Sequence, residues 1–424
     1  MDVFENKKKM VDCTGYCISN LAKFSYYICR DFCVCPSYLY FILMWNFKNK
    51  AIIFAVVIMA VYFLFGRMVM MDDGFHYEGF AESLAWGHLD FKSFYGFQGL
   101  SFFAVPVFWL TRSHNSIIIM SAIFSLLSIP LTYFVGKKFY GNHRAGVYFL
   151  ILFLLTPYPY TTMMRGFQEA ALLFFILLII YCSLNKKIWT PVAWAVGGIV
   201  KPFAIVIFPL FLPVDKRHSV SFIHSWKKMI WLLTALVIGG AYLGTSYYQT
   251  GHLVNNAAIN SYQGNFDAGN PPPLTKSFVL GIKGYLRVGA NLLLHFRKIM
   301  VSPLIILLGA FALLLNRDLK LRKEIVLAII LNLILVGSLT FSFPKYLLPM
   351  TTLFALVSIN YLLKYKWLMV LVFVDSFFVF LQIWNYFGHN FWSNFYLYLI
   401  PFYLSMILFV YEHLFTKHNF NSNS

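Results

Sequence analysis

Polar positions along this chain are sparse and bunched. Between them lie apolar stretches of about 20 residues, each about long enough to cross a ~30 Å hydrocarbon core. Such stretches fall near 51–71, 115–136, 144–162, 168–184, 188–200, 202–214, 228–248, 299–316, 324–342, 345–363, 367–386 and 393–415. In lipid a spanning segment must satisfy its own backbone, so each is predicted to be a helix. Short alternating segments of the kind that build a transmembrane barrel are not seen. The fifth and sixth stretches are too short to cross alone. They predict a helical pair broken at Lys201-Pro202, because proline removes a backbone donor. The apolar stretch Ser37–Phe47 is also too short, and predicts an interfacial helix. The expected fold is an all-α polytopic membrane protein of about twelve helices.

Composition fits that picture. Hydrophobic types make up 60% of the 424 residues and charged types 12%. Mean hydropathy is +0.69. A soluble domain carries about 25% charge, so the bilayer is the expected solvent. The net charge of +18 would suggest nucleic acid in a soluble chain. Here it follows the membrane instead. With the N-terminus inside, most of the 34 basic residues fall in cytoplasmic segments, as the positive-inside rule requires. Both termini are then expected in the cytoplasm of a multi-pass plasma or inner membrane protein, with no nucleic-acid partner. The polar, basic start (Lys7, Lys8, Lys9) does not resemble a signal peptide. Cys13, Cys17, Cys29, Cys33 and Cys35 crowd the first segment, where disulfides are disfavoured, and their spacing matches no standard zinc signature.

This threading gives a cytoplasmic segment 1–50 with its interfacial helix, a transmembrane module 51–363, and C-terminal helices with a tail, 364–424. Two outer loops are long, 72–115 and 249–298, and long loops are disproportionately functional. The second holds a polar, Pro-rich stretch, Asn255 to Pro273, followed by a segment with an apolar face and Lys283 and Arg287 beside it. That pattern suits a helix lying on the outer membrane surface. No internal repeat is visible.

The first outer loop opens on Asp72-Asp73-Gly74-Phe75-His76-Tyr77. Adjacent carboxylates repel, which raises the pKa of one. At a membrane edge they suit a general base facing a lipid-borne substrate. They equally suit a helix start, where Asp is favourable. Glu169 stands at the lip of a span, four residues after Arg165, with which it could form a structural i, i+4 pair. Lys201 is placed for a lipid phosphate or for snorkelling to the interface.

Asp73, Tyr77, Ala81, Leu84 and Gly87 reproduce the spacing D-x-x-x-Y-x-x-x-A-x-x-L-x-x-G. This resembles the first outer loop of the GT-C superfamily, the polytopic glycosyltransferases that use polyprenyl-phosphate sugars. Protein O-mannosyltransferases and the aminoarabinose transferases of lipid A belong to it. Arg165-Gly-Phe-Gln-Glu169 resembles its second outer acidic position. Gly197-Gly198-Ile199-Val200-Lys201-Pro202 resembles its short helical pair with a basic residue at the turn. Phe343-Pro344-Lys345-Tyr346 resembles its late Arg-Tyr motif, with Lys in place of Arg, so a point charge replaces a bidentate fork. The matches run from about residue 51 to 363; the last two spans carry none.

The resemblance implies an inverting glycosyltransferase that moves a sugar from a polyprenyl-phosphate carrier to an extracytoplasmic glycan, lipid or protein hydroxyl. It implies Asp73 as base, with Asp72 as the adjacent alternative and Glu169 as a further acid. Lys201, Lys345, Lys283 and Arg287 are the candidate cations for the lipid phosphate. Tyr77, His76 and Arg165 are expected near substrate. A divalent metal ion has donors in Asp72, Asp73, His76 and His88, and no cofactor is otherwise implied. The competing reading is a transporter or flippase of lipid-linked sugars. It would show ionisable residues deep within spans and a repeat; here they gather at one face, Asp375 excepted.

Overall fold

The computed structural model describes residues 50–65, 70, 72–94, 96–157, 165–211, 226–253, 301–337, 344–387 and 395–418. The chain divides into two compact units, Met1–Ile53 and Phe54–Ser424. Of the first only 50–53 are described, as the opening of a helix that runs on into the second. The expected interfacial helix 37–47, the N-terminal cysteines, the Pro-rich stretch 255–273, and Lys283 and Arg287 lie outside the described residues.

Every regular element among the described residues is helical. In chain order they are α1 Lys50–Phe65, α2 Asp72–Ala85, α3 Gly99–Thr111, α4 Ser116–Tyr140, α5 His143–Leu155, α6 Glu169–Leu184 and α7 Thr190–Val200. A 3-10 helix, Pro202–Leu210, succeeds α7. Then come α8 Trp226–Thr250, α9 Pro303–Leu315, α10 Arg322–Gly337, a 3-10 turn Pro344–Leu347, α11 Leu348–Lys364, α12 Leu368–Phe387 and α13 Phe395–His418. Most predicted spans meet an observed helix within a few residues. The loop 72–115 differs most, since it is largely α2 and α3.

Two helices, Ser116–Tyr140 and Met229–Thr250, are long and apolar enough to cross a bilayer by themselves. By that measure the described residues hold two such spans. The remaining apolar helices are shorter, 10–17 residues by the same measure. The outward faces are apolar nonetheless. Leu233, Leu236 and Val237 on α8, Leu314 and Leu315 on α9, and Val370, Val374 and Phe378 on α12 are all exposed. Apolar surface of that extent suits lipid, where it costs nothing to leave uncovered.

Two helix starts are satisfied from elsewhere in the chain. α4 has no acidic residue in its first turn and Asn115 gives it no side-chain cap. The buried Glu78 carboxylate of α2 does so instead. It accepts from the Ser116 hydroxyl at 2.7 Å, the Ile117 amide at 2.8 Å and the Ser116 amide at 3.3 Å. A carboxylate at a helix N-terminus takes up orphan donors and complements the dipole. α9 likewise lacks an acid of its own. Asp375 of α12 accepts from the Ser302 hydroxyl and, at 3.0 Å, from the Leu304 amide.

The connection from α2 to α3 is tied to α8. The Gln249 side chain accepts from the Phe91 amide at 2.9 Å and donates to the Leu89 carbonyl at 2.8 Å. Phe80, Phe91 and Tyr242 form a buried aromatic cluster beneath it. The Gln98 amide donates to the Tyr242 hydroxyl at 2.7 Å. The connection between α2 and α3 is thus pinned to α8 at both of its ends.

Candidate functional site

Lys201 interrupts the helical pair. Its backbone is extended (φ −158°, ψ 130°), with α7 ending before it and the 3-10 helix starting after it. Pro202 supplies no amide donor to continue α7, and Lys201 closes α7 with a bond to the Gly197 carbonyl at 2.9 Å. The two arms fold back on each other. The Trp194 indole donates to the Ile205 carbonyl at 3.0 Å, and its ring meets Phe211 at 5.8 Å. α7 has 11 residues and rises about 16 Å. That is roughly half the ~30 Å hydrocarbon thickness, so this is a short hairpin with a lysine at its tip.

The Lys201 ammonium forms an ion pair with Glu169, the first residue of α6. Both are buried, Glu169 at 1% exposure and Lys201 at 8%. The ammonium also stands over the Tyr346 ring, 5.6 Å from its centre. Tyr346 in turn stacks on Phe203, with centroids 4.6 Å apart and planes 14° from parallel. The Asn332 side chain of α10 donates to the Tyr346 carbonyl at 3.2 Å. Three segments far apart in sequence, those of Glu169, Lys201 and Tyr346, therefore meet at one ammonium. A buried pair of this kind is costly to desolvate, and in a membrane such groups are retained chiefly where they act.

The start of α2 approaches the same place. A Cβ on Gly74 would lie 2.9 Å from the Arg165 carbonyl oxygen. The start of α2 can press against the turn that leads into Glu169 only because residue 74 has no side chain. At the other side, a Cβ on Gly99 would lie 2.4 Å from the Val200 amide nitrogen, so α3 begins in contact with the hairpin tip. Tyr77, Ala170 and Val200 share one buried cluster. These three neighbour, within a turn, Asp73, Glu169 and Lys201 respectively.

Among the residues singled out from sequence, Asp73 and His76 are half-buried on α2, while Tyr77 and Arg165 are buried. The Tyr77 carbonyl accepts from the Ser101 hydroxyl at 2.8 Å. Asp72 opens α2 and Lys345 lies in the 3-10 turn beside Tyr346; the side chains of both are outside the described residues. Among the described residues no group of three or more His, Cys, Asp or Glu side chains comes together to hold a metal ion. His88 is exposed at the end of α2. Sequence reasoning assigned nothing to Glu78, and left Tyr346 without a role of its own. The signal for Glu78 was faint: α4 starts with no acid in its first turn and no side-chain cap, which leaves its opening amides to some other partner.

An apolar crevice opens between α5, α6 and α11, lined by Phe149, Phe153, Leu173, Leu177, Leu348 and Thr352 among others. Leu173 is one turn past Glu169, and Leu348 is two residues past Tyr346. The crevice and the buried pair therefore share α6, and the turn that holds Tyr346 leads directly into α11.

No family model matches the chain, and no curated protein does. Among solved structures, ArnT from Cupriavidus metallidurans bound to undecaprenyl phosphate is similar at 14% identity and a TM-score of 0.49, covering 73% of this chain and 58% of that one. ArnT from the same organism in the apo state is similar at 12% identity and a TM-score of 0.44, covering 76% of this chain and 59% of that one. The chain thus spans less than two thirds of the length of either. Its chemistry is read from its own residues.

Proposed function

We propose that this protein is a membrane glycosyltransferase that moves a sugar from a polyprenyl-phosphate carrier to a hydroxyl acceptor on the extracytoplasmic side. The single observation that carries the reading is the meeting of the Asp73 helix start, the Arg165–Glu169 turn and the Lys201 hairpin tip beside one apolar crevice. A lipid-phosphate sugar needs such a combination: a cation for the phosphate, a base for the acceptor and an apolar track for the prenyl tail.

In this reading Asp73 takes the proton from the acceptor hydroxyl as its oxygen attacks the anomeric carbon. The bond from that carbon to the phosphate oxygen breaks, the configuration inverts, and polyprenyl phosphate leaves. The leaving phosphate gains negative charge in the transition state, so a fixed cation helps most there. Lys201 is that cation, with Lys345 in the adjoining segment and Lys283 and Arg287 as further candidates. Glu169 balances the Lys201 charge before donor arrives. Asp72 is the alternative base; Arg165, His76 and Tyr77 shape the acceptor side.

The test is mass spectrometry of outer-surface glycans and glycolipids with and without the gene, followed by complementation with Asp73→Asn. A sugar that disappears with the gene, and stays absent with Asp73→Asn, supports the reading. An unchanged glycan and glycolipid profile would end it. Turnover that survives both Asp73→Asn and Asp72→Asn would remove the assigned base.

A further inference from the structure

Lys201 occupies an awkward place for a residue meant to hold an anion. It sits on an extended residue between two short helical arms, and its long side chain has many rotamers to lose on ordering. Two of its contacts orient the ammonium. One is the carboxylate of Glu169. The other is the face of Tyr346, and this second contact has a construction of its own. Phe203, two residues beyond Lys201, supports the Tyr346 ring in a near-parallel stack. Asn332, fully buried on α10, holds the Tyr346 backbone. The ring is therefore gripped from the hairpin and from α10 together.

We propose that Tyr346 is the positioning residue for the phosphate-binding lysine, and that it acts through the negative face of its ring. The proposal rests on the reading of Lys201 as the donor-phosphate cation. When an incoming phosphate competes with Glu169 for the ammonium, the carboxylate contact is the one exchanged. The aromatic contact can persist through that exchange, because a π face and a phosphate attract the ammonium from different directions. The ring thus keeps the cation at the hairpin tip in both states. Its neighbour in sequence is Lys345, so the same clamp brings a second cation-bearing segment to the first.

The experiment uses the full-length protein in nanodiscs and two probes, undecaprenyl phosphate and undecaprenol. The variants are Tyr346→Phe, Tyr346→Leu, Lys201→Gln and a ring-fluorinated phenylalanine installed at position 346. Fluorination keeps the shape of the ring and removes its negative face. The expected result is that Tyr346→Phe binds undecaprenyl phosphate within about twofold of the parent. Tyr346→Leu and the fluorinated ring should weaken it about tenfold, equivalent to about 1.4 kcal/mol. Undecaprenol binding should be unchanged in all of them. Equal loss for both probes in Tyr346→Leu with no loss in the fluorinated protein assigns Tyr346 to packing and overturns the proposal. If Tyr346→Leu fails to fold, the fluorinated variant alone decides. Lys201→Gln separates the two levels. If it binds the phosphate as the parent does, the donor-site reading of Lys201 is wrong and this inference goes with it. If it loses binding while every Tyr346 variant keeps it, only the inference about Tyr346 falls.

Discussion

Among the described residues, two ion pairs with a buried carboxylate stand near opposite ends of α4. At the start of α4, Glu78 links that helix to α2 and so to the region of Glu169 and Lys201. Toward its end, Tyr133 meets the His143 ring nitrogen at 2.7 Å, and a second cluster begins. There Arg144 pairs with Glu412 at 3.3 Å, and His143 stands 3.8 Å from the same carboxylate. Tyr148 reaches His413 at 3.3 Å, with the two rings stacked. The charges are alike, but the backbones are not. Arg144, Glu412 and His413 lie on regular helices, and their contacts join α5 to α13. Lys201 lies on a break between helices, at the tip of a hairpin that does not cross. A charge fixed on a continuous helix staples two elements. A charge set on an interruption is presented to something else. On the proposed reading, backbone context, more than burial or pairing, distinguishes the Arg144–Glu412 staple from the Lys201 site.

The largest effect should come from Lys201→Gln or Glu169→Gln. Each leaves a buried charge uncompensated, at a cost of about 3–5 kcal/mol, and each should abolish sugar transfer; thermal midpoints in nanodiscs and glycolipid analysis read the two effects. Next comes the contrast that tests the comparison itself. Replacing Arg144 and Glu412 together with Met and Leu should restore most of the stability that either single change removes, because a packed apolar pair can substitute for a buried ion pair. Glycolipid output should remain near the parent's. The same double replacement at Lys201 and Glu169 should restore folding and leave transfer absent. Transfer lost in the Arg144 and Glu412 double variant would erase the distinction between the two pairs.

A smaller effect is expected at Glu78. Glu78→Gln keeps one acceptor for the α4 start and loses the charge, costing about 1–3 kcal/mol. Because α2 carries Asp73, the displacement should lower the turnover number about tenfold or more with little change in KM, since small misplacements of reacting groups are expensive. The smallest effect concerns Asp90, between α2 and α3. The Ser93 hydroxyl holds its carboxyl below the usual range, with the Ser93 and Lys92 amides helping. A depressed carboxyl contributes stability above its unfolded pKa, and loses it as pH falls through the folded one. Asp90 is half-buried at the surface and its carboxyl is well solvated, so Asp90→Asn should shift stability by about 0.5 kcal/mol or less. The acid side of a melting-temperature profile is where the shift should appear.

Much of the helical path was legible because lipid imposes a simple rule. Apolar runs of bilayer length mark helices, and the predicted break at Lys201-Pro202 falls where α7 stops, since proline's missing donor acts locally. The local pattern also flagged Glu169 and Lys201 as unusual. What it could not supply was their pairing with each other. Contacts between residues far apart in sequence have no period, and Arg165 was the nearer partner along the chain. The same reason hid the Glu412 cluster and the second use of Tyr346, whose ring looked like one of many aromatics. Asp375 stood out as the exception to the gathering of ionisable residues at one face. Its contacts give it a local task, capping α9.

That last contact bears on how the protein is made. Translation delivers α9 to the membrane long before α12. Until Asp375 arrives, the Leu304 amide and the Ser302 hydroxyl at the α9 start lack the acceptor they have in the finished bundle. A nascent chain stopped after Lys364 would therefore hold every segment of the proposed site with one helix start left open. The C-terminal helices, which carry none of the recognisable motifs, would then decide whether the earlier ones mature or are cleared by quality control.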